Sequence, residues 1–173
     1  RSWYCDLPGG TNYFTYITEE LPELVHRMFK LPEGRENTYI GGLSMGGYGA
    51  LKCALRRPDL YCGAMCYSSG FFSLENAQHL MDVYYSEGEM KSILGQDLTL
   101  RDEDSLDYLI RHFPKAAQKP RLYVSCGTED FLPITLSERL LMDQPLTNGS
   151  EICMEGQLRS YNKVIEGSGR LLI

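Results

Sequence analysis

Phe14, Ile17, Leu21, Leu24, Val25, Met28 and Phe29 recur every three or four positions, a spacing that predicts an amphipathic helix packed on a core. Pro22 lies inside this stripe and implies a kink there, or a helix that begins only shortly before it. The pattern then tightens. Thr38 to Leu43 is a short apolar run that reads as a buried strand, and Met45 to Arg56, rich in Gly and Ala and stopped by Pro58, reads as a helix. Leu60 to Tyr67 reads as a second strand, followed by Ser68-Ser69-Gly70. Arg121 to Cys126 reads as a third, closed by Gly127, with a helix from about Pro133 to Met142 after it. Strands alternating with helices in this way predict a parallel sheet covered on both faces.

The stretch from Phe71 to Pro120 carries helical patches but no strand pattern. Asn76 to Tyr85, Glu87 to Leu94 and Asp102 to His112 are its predicted helices. Two readings stand for a segment of this length between adjacent strands. It is either a helical cap laid over one edge of the sheet or a set of surface helices with no part in substrate selection. With no internal repeat and no low-complexity tract, residues 1–173 read as a single α/β domain.

Composition narrows the choice by exclusion. With 43% hydrophobic and 23% charged residues the chain sits near the globular average, which sets aside disorder, collagen and coiled coil. A net charge of −6 argues against nucleic acid as the main partner, because phosphate binding needs a basic face. No apolar run approaches the roughly 18 residues of a membrane span. The six cysteines form no C-x-x-C pair and no zinc spacing, so they imply no metal, and the serine chemistry read below implies no cofactor. Cys53, Cys62, Cys66 and Cys126 lie in apolar stretches, as reduced core thiols do, which favours a reducing compartment and a cytoplasmic location. Asn148-Gly149-Ser150 fits a glycosylation acceptor, but nothing in the sequence places it in a secretory context.

The chemistry lies at Gly42-Leu43-Ser44-Met45-Gly46, a G-x-S-x-G between an apolar strand and a helix. A serine in so sharp a turn takes up a strained backbone, and side chains two positions either way would collide with it. Glycine at 42 and 46 removes those collisions. The turn lifts the Ser44 hydroxyl above the strand ends, and the backbone N–H of Met45 can hold developing oxyanion charge with help from the helix dipole. A phosphate loop would need Gly-Lys-Ser/Thr after its glycines, and G-x-G-x-x-G does not fit this spacing.

Gly42-Leu43-Ser44-Met45-Gly46-Gly47-Tyr48-Gly49-Ala50-Leu51 resembles the elbow of the putative esterase family, which includes esterase D (S-formylglutathione hydrolase), bacterial tributyrin esterases and feruloyl esterases. The likeness is closest to the tributyrin-esterase branch. Arg1-Ser2-Trp3-Tyr4 through Glu19-Glu20-Leu21-Pro22, Arg57-Pro58-Asp59, Ser68-Ser69-Gly70 and Cys126-Gly127-Thr128-Glu129-Asp130-Phe131-Leu132 continue it over most of the chain. The resemblance implies an α/β-hydrolase fold, a Ser-Asp-His triad and small or aromatic acyl ester substrates, with Ser44 as nucleophile. Asp130 stands where the resembling motif carries its acid, in the loop after the third strand; Glu129 is the alternative. Trp3, Tyr4, Tyr48, Phe71 and Phe72 are candidates for the acyl or alcohol pocket and equally plausible as core.

The base is the difficulty. His26, His79 and His112 all precede Asp130, whereas the triad in this fold runs Ser, acid, His along the chain. The resembling family places its histidine after a Gly-rich turn near the C-terminus. Glu166-Gly167-Ser168-Gly169 looks like the start of that turn, and no histidine follows it. The expectation is therefore an α/β-hydrolase domain truncated at both ends, inactive and marginally folded by itself, whose parent is an esterase acting on small-molecule esters. Two rivals remain: an acyltransferase or thioesterase with the same elbow, and a non-catalytic binding protein in which the missing histidine is native.

Overall fold

The structure is a computed structural model that describes residues 2–7, 9–69, 85–127 and 151–155. The first helical stretch is wound in three consecutive pieces: α1 (Tyr13–Thr15), a π-helical turn (Tyr16–Glu20) and α2 (Leu21–Met28). The π turn sits immediately before Pro22, so the chain passes the missing N–H by widening rather than by breaking. Asp6 ties the segment before it to this helix, its carboxylate accepting from the Thr15 N–H at 3.0 Å and the Thr15 hydroxyl at 2.7 Å.

Among the described residues four parallel strands follow: β1 (Tyr39–Leu43), β2 (Gly63–Tyr67), β3 (Arg121–Gly127) and β4 (Glu151–Glu155), in the order β1-β2-β3-β4. Between β1 and β2 runs α3 (Met45–Arg56); between β2 and β3 lie α4 (Glu87–Leu94), a 3₁₀ turn (Asp102–Asp104) and α5 (Leu106–Arg111). The register pairs Ile40 with Ala64 and Ala64 with Leu122, then Gly42 with Cys66 and Cys66 with Val124. Side chains in register share a face, so these positions form one surface, and α3 packs on it. Ala64, Cys66, Leu122 and Val124 are buried there with Ala50, Leu51, Cys53, Ala54 and Leu55 of the helix. The opposite face carries Met65, Tyr67 and Tyr123, all half-buried, with the Tyr67 and Tyr123 rings 5.8 Å apart.

Several sequence expectations shift. The strand expected from Leu60 begins at Gly63, because the N–H groups of Leu60 and Tyr61 both turn back to the Arg57 carbonyl. The helix expected over Asp102 to His112 is broken at Ser105, whose side chain caps α5 by accepting from the Tyr108 N–H. Glu87–Leu94 is helical as expected, opened by a capping box between Ser86 and Glu89. The amphipathic stripe is core-facing only in its first half. Phe14 and Thr18 are buried, but Leu24, Met28 and Phe29 remain 48%, 65% and 57% exposed. The apolar side chains at that end of α2 stay open to solvent. β4 lacks a clear signal, being five residues long with a glutamate at either end. The helices expected at Asn76 to Tyr85 and Pro133 to Met142 fall wholly or almost wholly outside the described residues.

A buried charged cluster joins the N-terminal segment to α3 and to the 3₁₀ turn. Lys52, inside α3, is fully buried and lies 2.5 Å from the Asp104 carboxylate, itself 2% exposed. Lys52 also donates to the carbonyls of Trp3 at 3.3 Å and Tyr4 at 2.9 Å. Arg101 reaches the second Asp104 oxygen at 2.6 Å, and the buried Tyr48 hydroxyl donates to the Asp104 carbonyl at 2.7 Å. Trp3 packs edge-on against Tyr48, with ring centroids 5.3 Å apart. Segments about a hundred residues apart in sequence therefore meet around one ammonium group.

Candidate active site

Parallel strands carry their chain exits to one edge of the sheet, and Ser44 stands at that edge. It follows β1 directly, is solvent-exposed, and has φ 56° and ψ −120°. A non-glycine residue in that region costs about 1–3 kcal/mol and persists only where its surroundings enforce it. Three contacts do so here. The Ser44 N–H donates to the Tyr67 carbonyl at the end of β2 (2.9 Å), and the Ser44 carbonyl accepts from Gly47 (2.9 Å) and Tyr48 (3.2 Å) in the first turns of α3. Backbone on both sides of the serine is pinned, while its side chain stays open to solvent.

The two motif glycines play unequal parts. A Cβ on Gly42 would lie 2.8 Å from the Gly46 Cα and closer still to the Gly46 carbonyl, so strand and helix can approach only if residue 42 has no side chain. A Cβ on Gly46 would meet nothing nearer than the Tyr4 hydroxyl at 3.7 Å. Gly42 is thus the residue that lets the β1 and α3 backbones come together, whereas the collision expected from a side chain at 46 is not found.

Met45 is the first residue of α3, where helix geometry leaves the N–H without an intrahelical acceptor and the dipole favours negative charge. An anionic oxygen held beside Ser44 would find that donor. β3 ends at Gly127, and its register with β2 and β1, Ser125 to Tyr67 to Leu43, puts the start of the next loop at the edge that carries Ser44. Asp130 and Glu129, expected from the sequence to follow β3, lie outside the described residues, as do His79, Phe71 and Phe72.

The described histidines are held by their own helices. His26 Nδ1 lies 2.8 Å from the Pro22 carbonyl, and His112 Nδ1 lies 2.9 Å from the Tyr108 carbonyl, with its ring stacked on Tyr108 at 4.1 Å. Among the described residues no hydrogen bond joins either to Ser44. His26 also lines a groove of about 570 Å³ with Thr18, Arg35, Thr38, Asp59 and Tyr61. That groove opens at the N-terminal end of β1, about 16 Å of strand from the serine at about 3.3 Å per residue, and is separate from the chemistry at Ser44.

The aromatic candidates separate cleanly. Trp3 and Tyr48 are core. Tyr4 is half-exposed against the side of α3, and burial, with the Cys53 thiol as a lesser cause, raises its phenol above the usual range. Of the thiols, Cys5, Cys53 and Cys66 are buried and free, and Cys62 is free and half-buried. Burial pushes Cys66 up to about 12 and Cys53 up to about 11. The charged cluster around Lys52 is the feature that reading by motif overlooked. Its one signal is a lysine set in the apolar run Ala50-Leu51-Lys52-Cys53-Ala54-Leu55. No helix among the described residues is long and apolar enough to cross a membrane.

The family described as Putative esterase matches residues 5–141. An acetyl esterase of Caldicellulosiruptor saccharolyticus is 32% identical over 143 residues, a match covering 76% of this chain and 52% of that protein. Among solved structures, fluorophosphonate-binding serine hydrolase F of Staphylococcus aureus superposes with a TM-score of 0.76 at 27% identity, covering 96% of this chain and 66% of that one. An S-formylglutathione hydrolase from the same organism gives 0.73 at 27% identity, covering 95% and 65%. The chain spans about half the length of the acetyl esterase and just under two thirds of the two superposed structures.

Proposed function

The chain belongs to the putative esterase family and has an α/β-hydrolase fold, and from that premise we propose that it carries the nucleophile of a serine carboxylic-ester hydrolase, Ser44. The observation that carries this is the Ser44 backbone, held at φ 56° between β1 and α3 with its side chain exposed at the strand ends. Ser44 Oγ attacks the ester carbonyl and a histidine takes its proton. Asp130 orients that histidine, and the Met45 N–H supports the oxyanion. The alcohol leaves with the proton, and water then releases the acid from Ser44. The free described thiols fit a reducing, cytoplasmic setting.

The test compares full-length protein carrying this sequence with its Ser44→Ala variant. The readouts are p-nitrophenyl acetate hydrolysis and labelling by a fluorophosphonate. Loss of about 10⁶ in kcat and loss of the label are expected; turnover retained by Ser44→Ala refutes the reading. Because neither His26 nor His112 is hydrogen-bonded to Ser44 among the described residues, residues 1–173 assayed by themselves are expected to be slower by a similar factor. A thioesterase or acyltransferase is the second reading, favoured by the superposition on an S-formylglutathione hydrolase. Matched oxygen esters and thioesters, assayed with and without an added alcohol acceptor, separate the two.

A further inference from the structure

Trp3 and Tyr4 are consecutive non-glycine residues with φ of 51° and 54°, a left-handed pair that an L-peptide adopts only under constraint. The constraint is visible: the buried Lys52 ammonium holds both carbonyls, and Asp104 holds Lys52. The result is a fixed direction for the Tyr4 side chain. A Cβ on Gly49 would lie 2.5 Å from Tyr4 Cδ2 and Cε2 and 2.9 Å from Cγ, whereas a Cβ on Gly46 would lie 3.7 Å from the Tyr4 hydroxyl. The base of the ring is thus at Gly49 and its tip at Gly46, one helical turn closer to the start of α3. The phenol lies along the nucleophile-bearing helix and points toward the end occupied by Ser44. Trp3, its neighbour, is turned into the core instead.

Resting on the esterase reading, we propose that Tyr4 is a specificity-determining residue: a rigid wall beside Ser44 that restricts the acyl group to short chains. The acyl group is the part of the substrate bonded to Ser44 Oγ in the intermediate. A wall fixed to the same helix therefore bounds it throughout the cycle. Rigidity is what gives the wall its selectivity, since a mobile ring would yield to a longer chain. Lys52 acts through the Trp3 and Tyr4 carbonyls and is a positioning residue. Pocket discrimination for one methylene runs from about tenfold upward where the wall cannot move.

The experiment measures kcat/KM for p-nitrophenyl esters from acetate to octanoate with full-length protein carrying this sequence. Tyr4→Ala is expected to raise the octanoate-to-acetate ratio at least about tenfold. Tyr4→Leu keeps an apolar cover over Gly46 and Gly49 and should move the ratio the same way by less. Tyr4→Phe keeps the ring and should leave the ratio within about twofold. An unchanged ratio in both Tyr4→Ala and Tyr4→Leu, with turnover still abolished by Ser44→Ala, overturns the inference and leaves the esterase reading intact. Turnover that survives Ser44→Ala overturns both, since Tyr4 would then border no reacting serine.

Discussion

Replacing Asp104 should cost more stability than replacing Lys52, although the two form one ion pair. The asymmetry follows from who is left behind. Lys52→Met leaves Asp104 with Arg101 at 2.6 Å and Arg56 at 3.9 Å, so its carboxylate remains compensated. The loss is then mainly the 2.9 Å hydrogen bond to the Tyr4 carbonyl, about 1.5–3 kcal/mol for a bond from a charged donor, the 3.3 Å bond to the Trp3 carbonyl being longer and weaker. Asp104→Asn leaves Lys52, with no exposed surface, without an ion-pair partner among the described residues, in a cluster that keeps the two arginines. Breaking a buried pair in that sense costs about 3–5 kcal/mol. At about 2–4 °C per kcal/mol for a chain of this size, the midpoint should fall by roughly 3–12 °C for Lys52→Met and roughly 6–20 °C for Asp104→Asn. The double variant removes both charges and should lie near Lys52→Met, well short of the sum. Thermal and urea unfolding at neutral pH provide the assay, repeated in 1 M salt, which should change the difference little because the pair is buried. An Asp104→Asn no worse than Lys52→Met, or additive losses in the double variant, would refute the reasoning.

Gly42→Ala forces a methyl into the Gly46 backbone, which should cost about 1–3 kcal/mol and, by shifting the start of α3, lower turnover by up to about 10², whereas Gly46→Ala should be near neutral in stability; equal unfolding midpoints for the two variants would count against it. Cys53 and Cys66 titrate near 11 and 12 when folded but near 8.5 when unfolded. Their contribution is complete below about pH 8.5 and is lost as pH rises toward the folded values, at about 1.4 kcal/mol per pH unit for each thiol. Urea midpoints between pH 8 and 9.5 should therefore fall, and Cys66→Ala should remove part of that slope; a flat profile in the parent chain contradicts the assignment.

The turn around Ser44 was legible because its requirements are local. A strand, a serine and a helix within a dozen residues demand particular backbone, and Gly42 is where that demand shows in the sequence. The parallel strands β1 to β3 were legible for the same reason, each being a short apolar run with a turn after it. β4 was not, since Glu151 and Glu155 break the run and parallel pairing with β3 stabilises it from outside the segment. The exposed half of α2 marks another limit. Periodicity reports that a face is apolar, not that a described neighbour covers it.

The Lys52 cluster shows where a motif stops being a site. G-x-S-x-G accounts for the serine and for the approach of β1 to α3, but it says nothing about what borders the serine on its other side. That border is set by residue 4, whose carbonyl and that of residue 3 are held by residue 52, which is anchored in turn by residue 104; no spacing rule connects those positions. Each is unremarkable alone: two aromatics, a helical lysine and an aspartate in an acidic turn. Burial makes them interdependent. A fully buried ammonium must be neutralised and its donors satisfied, so once Lys52 is fixed inside α3 the chain has to bring a carboxylate and carbonyl oxygens to it. The left-handed turn at Trp3 and Tyr4 is the form in which those carbonyls arrive, and the direction of the Tyr4 ring follows from the turn. The border of the site is therefore fixed by the need to compensate one charge in the core.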